Sequence, residues 1–118
     1  MYKLNAHEAD LAPVNEEGAE GVQIQWLLAE ANGAPNFAMR RFVIAPGGHT
    51  PYHQHDWEHE VYTLTGQGII NTEDGEHPIE PGDTMLIAPN ELHNFDNTGD
   101  EPLEFLCLVP NGPATGAH

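Results

Sequence analysis

Turn-forming residues punctuate this chain at short intervals, and no 12-residue window carries convincing helical periodicity. Pro46-Gly47-Gly48, Gly66, Asp74-Gly75 and Pro81-Gly82-Asp83 fall at short intervals, and the segments they bound read as strands. Val22, Ile24, Trp26 and Leu28 alternate with Gln23, Gln25 and Leu27, the pattern of a half-buried strand over 22–28. Further strands are expected over 36–45, 60–65, 68–72, 84–88 and 93–96. The most apolar run, 103–109, belongs in the core. Asp74-Gly75 is a tight hairpin signal. The one stretch open to a helix, 29–38, contains Gly33 and Pro35 and is a poor candidate. Many short strands at roughly 8–12-residue spacing predict an all-β sandwich or barrel.

The 118 residues suit one domain. Residues 1–20 are small and polar and read as an N-terminal arm with at most one short strand. Residues 21–110 are expected to form the β domain, sandwich or barrel, and 111–118 read as a flexible C-terminal tail. Lys and Arg number 3 against 19 Asp and Glu, a formal net charge of −16. Such a chain repels nucleic-acid phosphates and anionic membrane surfaces, so neither is expected as a partner. No apolar run approaches the ~20 residues that span a bilayer. Residues 1–12 lack the apolar stretch of a secretory signal, so a cytoplasmic protein is expected. The single Cys107 excludes an internal disulfide and a cysteine-rich zinc cluster.

Histidine is the anomaly. There are 8, and His49, His53, His55 and His59 crowd into one short segment. On an extended chain residues two apart share a face, so His53 and His55 form a chelating pair. His59 keeps the same parity and turns toward them, while Glu60 turns away. A bulge between the two would exchange their roles and make Glu60 the ligand. His93, beyond the turn at 89–92, is the candidate from elsewhere in the chain. Neutral imidazoles suit Mn, Fe, Co, Ni, Cu and Zn, and suit Mg and Ca poorly. One divalent transition metal per chain is expected, with Mn, Fe or Cu favoured over Zn or Ni. Four imidazoles leave two positions of a six-coordinate ion open, the layout of a catalytic site. His7, His77 and His118 are expected in solvent, and the direction of His49, after two glycines, is undefined.

Gly47-x5-His53-x-His55-x3-His59-x6-Gly66 resembles the first motif of the cupins, and Gly82-x10-His93-x3-Asn97 resembles the second. His59 stands where the usual motif has Glu, as in small single-domain cupins whose metal is held by four histidines. Ala88 stands where Pro is common and Asn90 where Gly is common. Asn tolerates left-handed backbone, so the turn survives. The resemblance implies a double-stranded β-helix, or jelly-roll barrel, with a metal inside its mouth. It also implies pairing as a homodimer through sheet edges.

Strand parity supplies pocket candidates. Leu103, Phe105, Cys107 and Val109 share a face; Glu104 belongs to the other and is costly to bury. Phe105 and Cys107 therefore point inward, as core or as pocket wall. Arg40 shares parity with Phe42 and Ile44 and is expected inside, where it would orient an anionic or carbonyl group; the competing reading is a surface ion pair. Trp57 is expected at the rim. Glu58 and Glu60 are candidates to hydrogen-bond a ligand histidine. Three functions stay open: an oxygenase-type oxidoreductase acting on an apolar or aromatic small molecule, a Lewis-acid isomerase or epimerase, and a small-ligand binding module without chemistry.

Overall fold

The computed structural model describes residues 1–112. Among these residues nine strands form one curled antiparallel sheet. They are β1 (Ala12–Pro13), β2 (Glu20–Leu28), β3 (Phe37–His49), β4 (His59–Thr65), β5 (Gly68–Thr72), β6 (Gly75–Ile79), β7 (Thr84–Ile87), β8 (His93–Asn97) and β9 (Leu103–Pro110). The order is β6-β5-β8-β3-β9-β4-β7, with β2 paired to β3 and β1 to β2. This is the expected all-β jelly-roll barrel. The segment 29–38 yields one turn of 3-10 helix, Glu30–Asn32. No helix is long and apolar enough to cross a membrane. The expected tail over 111–118 lies, from residue 113 onward, outside the described residues.

Period-two alternation decides what faces the interior. On β9, Leu103, Phe105, Cys107 and Val109 are buried, while Glu104, Leu106 and Leu108 are half-buried on the outer face. On β3 the buried set is Ala38, Arg40, Phe42 and Ile44, and on β4 it is His59, Val61 and Thr63. Three aromatic rings stack through the centre, Phe42 on Phe105 at 5.3 Å and Phe105 on Phe95 at 4.3 Å. Aromatic pairs at such spacings contribute beyond the area they bury.

Three elements differ from the sequence reading. The turn at Pro46-Gly47-Gly48 does not stop β3. Glu20 pairs with His49 and Val22 with Ile44, so residues 45–48 bulge opposite the single residue 21, with Gly47 at φ 79°. The bulge bends β3 until His49 pairs with Asp96 of β8, which helps curl the sheet. The edge strand β6 carries exposed Glu76, His77 and Pro78; it has no alternation to betray it, and Pro is tolerated at an edge. Gln25 breaks the alternation of β2 by being buried. Its Nε2 donates to the carbonyls of Ala6 and Ala9 at 2.9 and 3.1 Å, and its Oε1 accepts from Arg41 at 2.8 Å. It thus docks the N-terminal segment onto the barrel. The Val14 amide donates to the Val22 carbonyl at 2.9 Å, and the Val14 side chain is buried against the core.

Candidate metal centre

His53 and His93 are locked opposite one another by two backbone hydrogen bonds. The His53 amide donates to the His93 carbonyl at 3.1 Å, and the His93 amide returns the bond at 3.0 Å. The next turn grips the same segment, because the Asn90 amide donates to the His55 carbonyl. Asn90 manages this at φ 65°, the left-handed conformation that Asn accepts more readily than most residues. His59 begins β4 and faces inward, buried, while Glu60 is exposed. No bulge exchanges them here: His59 pairs with Ile87 and Glu60 with Leu86 in continuous register.

The four imidazoles form a closed circuit. Ring centroids lie 4.3 Å apart for His53–His55, 5.5 Å for His55–His59, 5.1 Å for His59–His93 and 5.4 Å for His93–His53. With metal–nitrogen bonds of ~2 Å, neighbouring imidazoles on one ion would have centroids about 4.5–5 Å apart, so the spacing fits a shared ion. The rings are not yet a finished coordination sphere. Among the described residues no group of three His, Cys, Asp or Glu side chains has that geometry. The strongest sign of fit is His59 Nε2, buried without a hydrogen-bond partner. Burial, followed by the neighbouring His93 and Arg40, pulls the His59 pKa down to about 3. Burial also lowers His93. Both rings are therefore neutral near pH 7, as metal ligands must be.

Three of the four rings have a named neighbour at Nδ1. His93 Nδ1 lies 2.8 Å from the Glu91 carbonyl, His59 Nδ1 lies 3.4 Å from Cys107 Sγ, and His53 Nδ1 lies 3.7 Å from a Glu16 carboxylate oxygen. Glu58 and Glu60, the carboxylates singled out from the sequence for this task, are both exposed. Trp57 stacks on His55 with ring centroids 4.4 Å apart and planes 7° from parallel, at the edge of the core.

His53, His59 and His93 line a cavity of about 30 Å³, room enough for a water molecule. Val14, Phe42, Phe95 and Phe105 wall it, and Arg40 and Cys107 close it. Arg40 is fully buried. Its guanidinium lies over Phe42 at 5.0 Å and Trp26 at 5.5 Å. The ion pair considered for Arg40 is made instead by Arg41, which pairs with Glu104 on the outer face. Sequence reasoning missed Val14 and Glu16. Both sit far from the histidine motif, in a polar stretch, and only the pairing of β1 with β2 brings them to the mouth.

Residues 40–109 match the family model described as a cupin domain. The chain is a cupin. It is 34% identical over 100 residues to the oxalate-binding protein of Thermotoga maritima, spanning 80% of this chain and 81% of that one. It is 36% identical over 97 residues to a glucose-6-phosphate isomerase of Pyrococcus abyssi, spanning 69% of this chain but 49% of the isomerase. The structure of the polyketide cyclase RemF from Streptomyces resistomycificus superposes with a TM-score of 0.90 and 29% identity. That match covers 95% of this cupin and 80% of the cyclase. One barrel thus carries a binding protein, an isomerase and a cyclase among its relatives, so the reaction must be argued from the site.

Proposed function

We propose that this cupin is a metal-dependent enzyme of oxygenase type acting on a small apolar or aromatic molecule. His53, His55, His59 and His93 would hold one divalent ion, with Mn, Fe or Cu favoured. The observation that carries the reading is the closed circuit of four imidazoles, with an orphaned His59 Nε2 in a pocket that Phe42, Phe95 and Phe105 also line. When bound, the ion supplies open positions for oxygen-donor groups and, if redox-active, one-electron chemistry. The chain's own residues do the rest. Phe42, Phe95 and Phe105 offer an apolar surface to the guest and keep water out. Arg40 holds a fixed positive charge at the floor, which favours a carbonyl or enolate oxygen over a cationic group. A homodimer in the cytoplasm belongs to the same proposal.

A second reading is Lewis-acid catalysis without electron transfer. The similarity to the polyketide cyclase over 95% of the chain supports it. Metal content separates the two. Untagged protein, purified without chelating resin, is expected to carry one equivalent of metal by elemental analysis. His53→Ala and His93→Ala are expected to remain folded and lose most of it. Glu60→Ala is expected to keep far more than His59→Ala. Mn, Fe or Cu with oxygen uptake supports the oxygenase; Zn or Ni without it supports the Lewis acid. Stoichiometric metal retained in both His53→Ala and His93→Ala would overturn the four-histidine centre.

A further inference from the structure

Three buried groups form a row beneath the imidazoles. Arg40, Cys107 and His59 sit on the adjacent strands β3, β9 and β4. Arg40 and Cys107 are direct register partners. Cys107 is in turn opposite Val61, so His59, two residues earlier on the same face, is its diagonal neighbour, within reach across the pleat. The side chains complete the row. Arg40 Nη2 lies 3.1 Å from Cys107 Sγ, and Arg40 Nε lies 3.5 Å from the Cys107 carbonyl. Cys107 Sγ lies 3.4 Å from His59 Nδ1. Relative exposures are 0% for Arg40, 3% for Cys107 and 4% for His59, so water does not compete for these contacts.

The donor inventory limits what each contact means. A guanidinium only donates, so the sulfur accepts from Arg40. A neutral imidazole carries one N–H, on Nδ1 or on Nε2. If the thiol hydrogen were donated to Nδ1, the ring proton would lie on Nε2. That would leave a buried N–H pointing into the cavity without an acceptor, an arrangement folded proteins rarely tolerate. If Nδ1–H is donated to the sulfur, Nε2 presents a lone pair to the cavity, which an ion satisfies. Resting on the metal centre proposed above, we infer that Cys107 is a positioning residue for His59. Its sulfur accepts the Nδ1 proton and thereby fixes the tautomer and tilt that aim Nε2 at the ion. Arg40 anchors the sulfur from the far side. Cys107 here takes the part that a carboxylate or carbonyl plays behind other ligand histidines.

Two variants and two readouts test this. Cys107→Val fills the same space without an acceptor; Cys107→Ser restores one. Nitrogen-15 NMR of the histidine rings in metal-free protein reports which His59 nitrogen bears the proton. Competition with a chelator reports affinity for added Mn(II) or Zn(II). The wild type is expected to hold the proton on Nδ1. In Cys107→Val the tautomers are expected to mix and affinity to fall by about 10- to 100-fold, with Cys107→Ser recovering most of the loss. Melting curves establish that each variant is folded. Nε2 protonation in the wild type, or an unchanged tautomer in Cys107→Val, would overturn the inference. So would an equal loss of affinity in both variants without a tautomer change, which marks a packing role. If the wild type takes up neither ion, the metal centre fails, while the NMR comparison still decides the role of Cys107.

Discussion

Two of the site's side chains titrate in a way that stability must register. Burial holds the His59 pKa at about 3, against an ordinary value of 6.5, and shifts His93 in the same direction. The folded state therefore keeps His59 neutral where the unfolded chain binds a proton. Its contribution to stability is complete above pH 6.5 and is lost as pH falls from 6.5 toward 3. The slope reaches about 1.4 kcal/mol per pH unit for one such group. Metal-free protein is expected to melt at progressively lower temperature below pH 6.5, and His59→Gln is expected to flatten that decline. Equal slopes in the two proteins would mean that His59 is solvated and not buried. At this scale parity was informative for the site, though not for Gln25, which is buried against it. Alternation favoured His59 over Glu60 and Arg40 over Arg41 for the interior, and the burial cost of Glu104 picked the inner face for Cys107; the barrel orients them so. Contacts between strands were beyond it: nothing near Cys107 in the chain announces that its sulfur meets His59.

At the scale of elements, punctuation was legible and its geometry was not. Asn90 kept the turn that aims His93 because its backbone accepts φ 65°, as expected of Asn in a glycine place. Pro46-Gly47-Gly48 looked like a terminator but became a bulge, because pairing with β2 and then β8 rewards a bent strand more than a stopped one. Strand β6 was missed because its exposed edge position imposes no pattern. Gly66 shows a constraint that combines both kinds of information. Its φ is 84°, and a Cβ there would meet the Pro102 carbonyl oxygen and stand 2.9 Å from Leu103 Cα. Left-handed backbone costs a non-glycine residue about 1–2 kcal/mol, and the backbone contacts cannot rotate aside. Gly66→Ala is expected to destabilise the barrel by about 2 kcal/mol or more in urea unfolding, with an unchanged m-value. A loss below about 0.5 kcal/mol would show that the β4–β5 turn moves away from Pro102 easily.

At the scale of the whole molecule, charge bears on stability independently of the site. The formal net charge is −16, spread over a body of 39 × 30 × 28 Å. At 0.01 M salt the Debye length is about 30 Å, so nearly every carboxylate feels every other; at 1 M it is about 3 Å, and only neighbours interact. The unfolded chain spreads the same charges further apart, so repulsion at low salt penalises the folded state more. Melting temperature is expected to rise by about 5 °C or more between 0.01 and 0.5 M NaCl at pH 7.5, equivalent to roughly 1 kcal/mol for a domain of this size. A flat response would mean that the acidic side chains are too dispersed to strain the fold. This term also governs how the His59 experiment must be run. Acidification reduces the net negative charge and relieves repulsion, which stabilises the folded state, whereas charging His59 destabilises it. The two effects oppose each other at low salt. Only salt weakens one and spares the other, since a buried ring is screened far less than a surface carboxylate. The acid-side decline below pH 6.5 should therefore be steeper at 0.5 M NaCl than at 0.01 M. The reverse order would assign the decline to surface charge and remove the evidence for a neutral, buried His59.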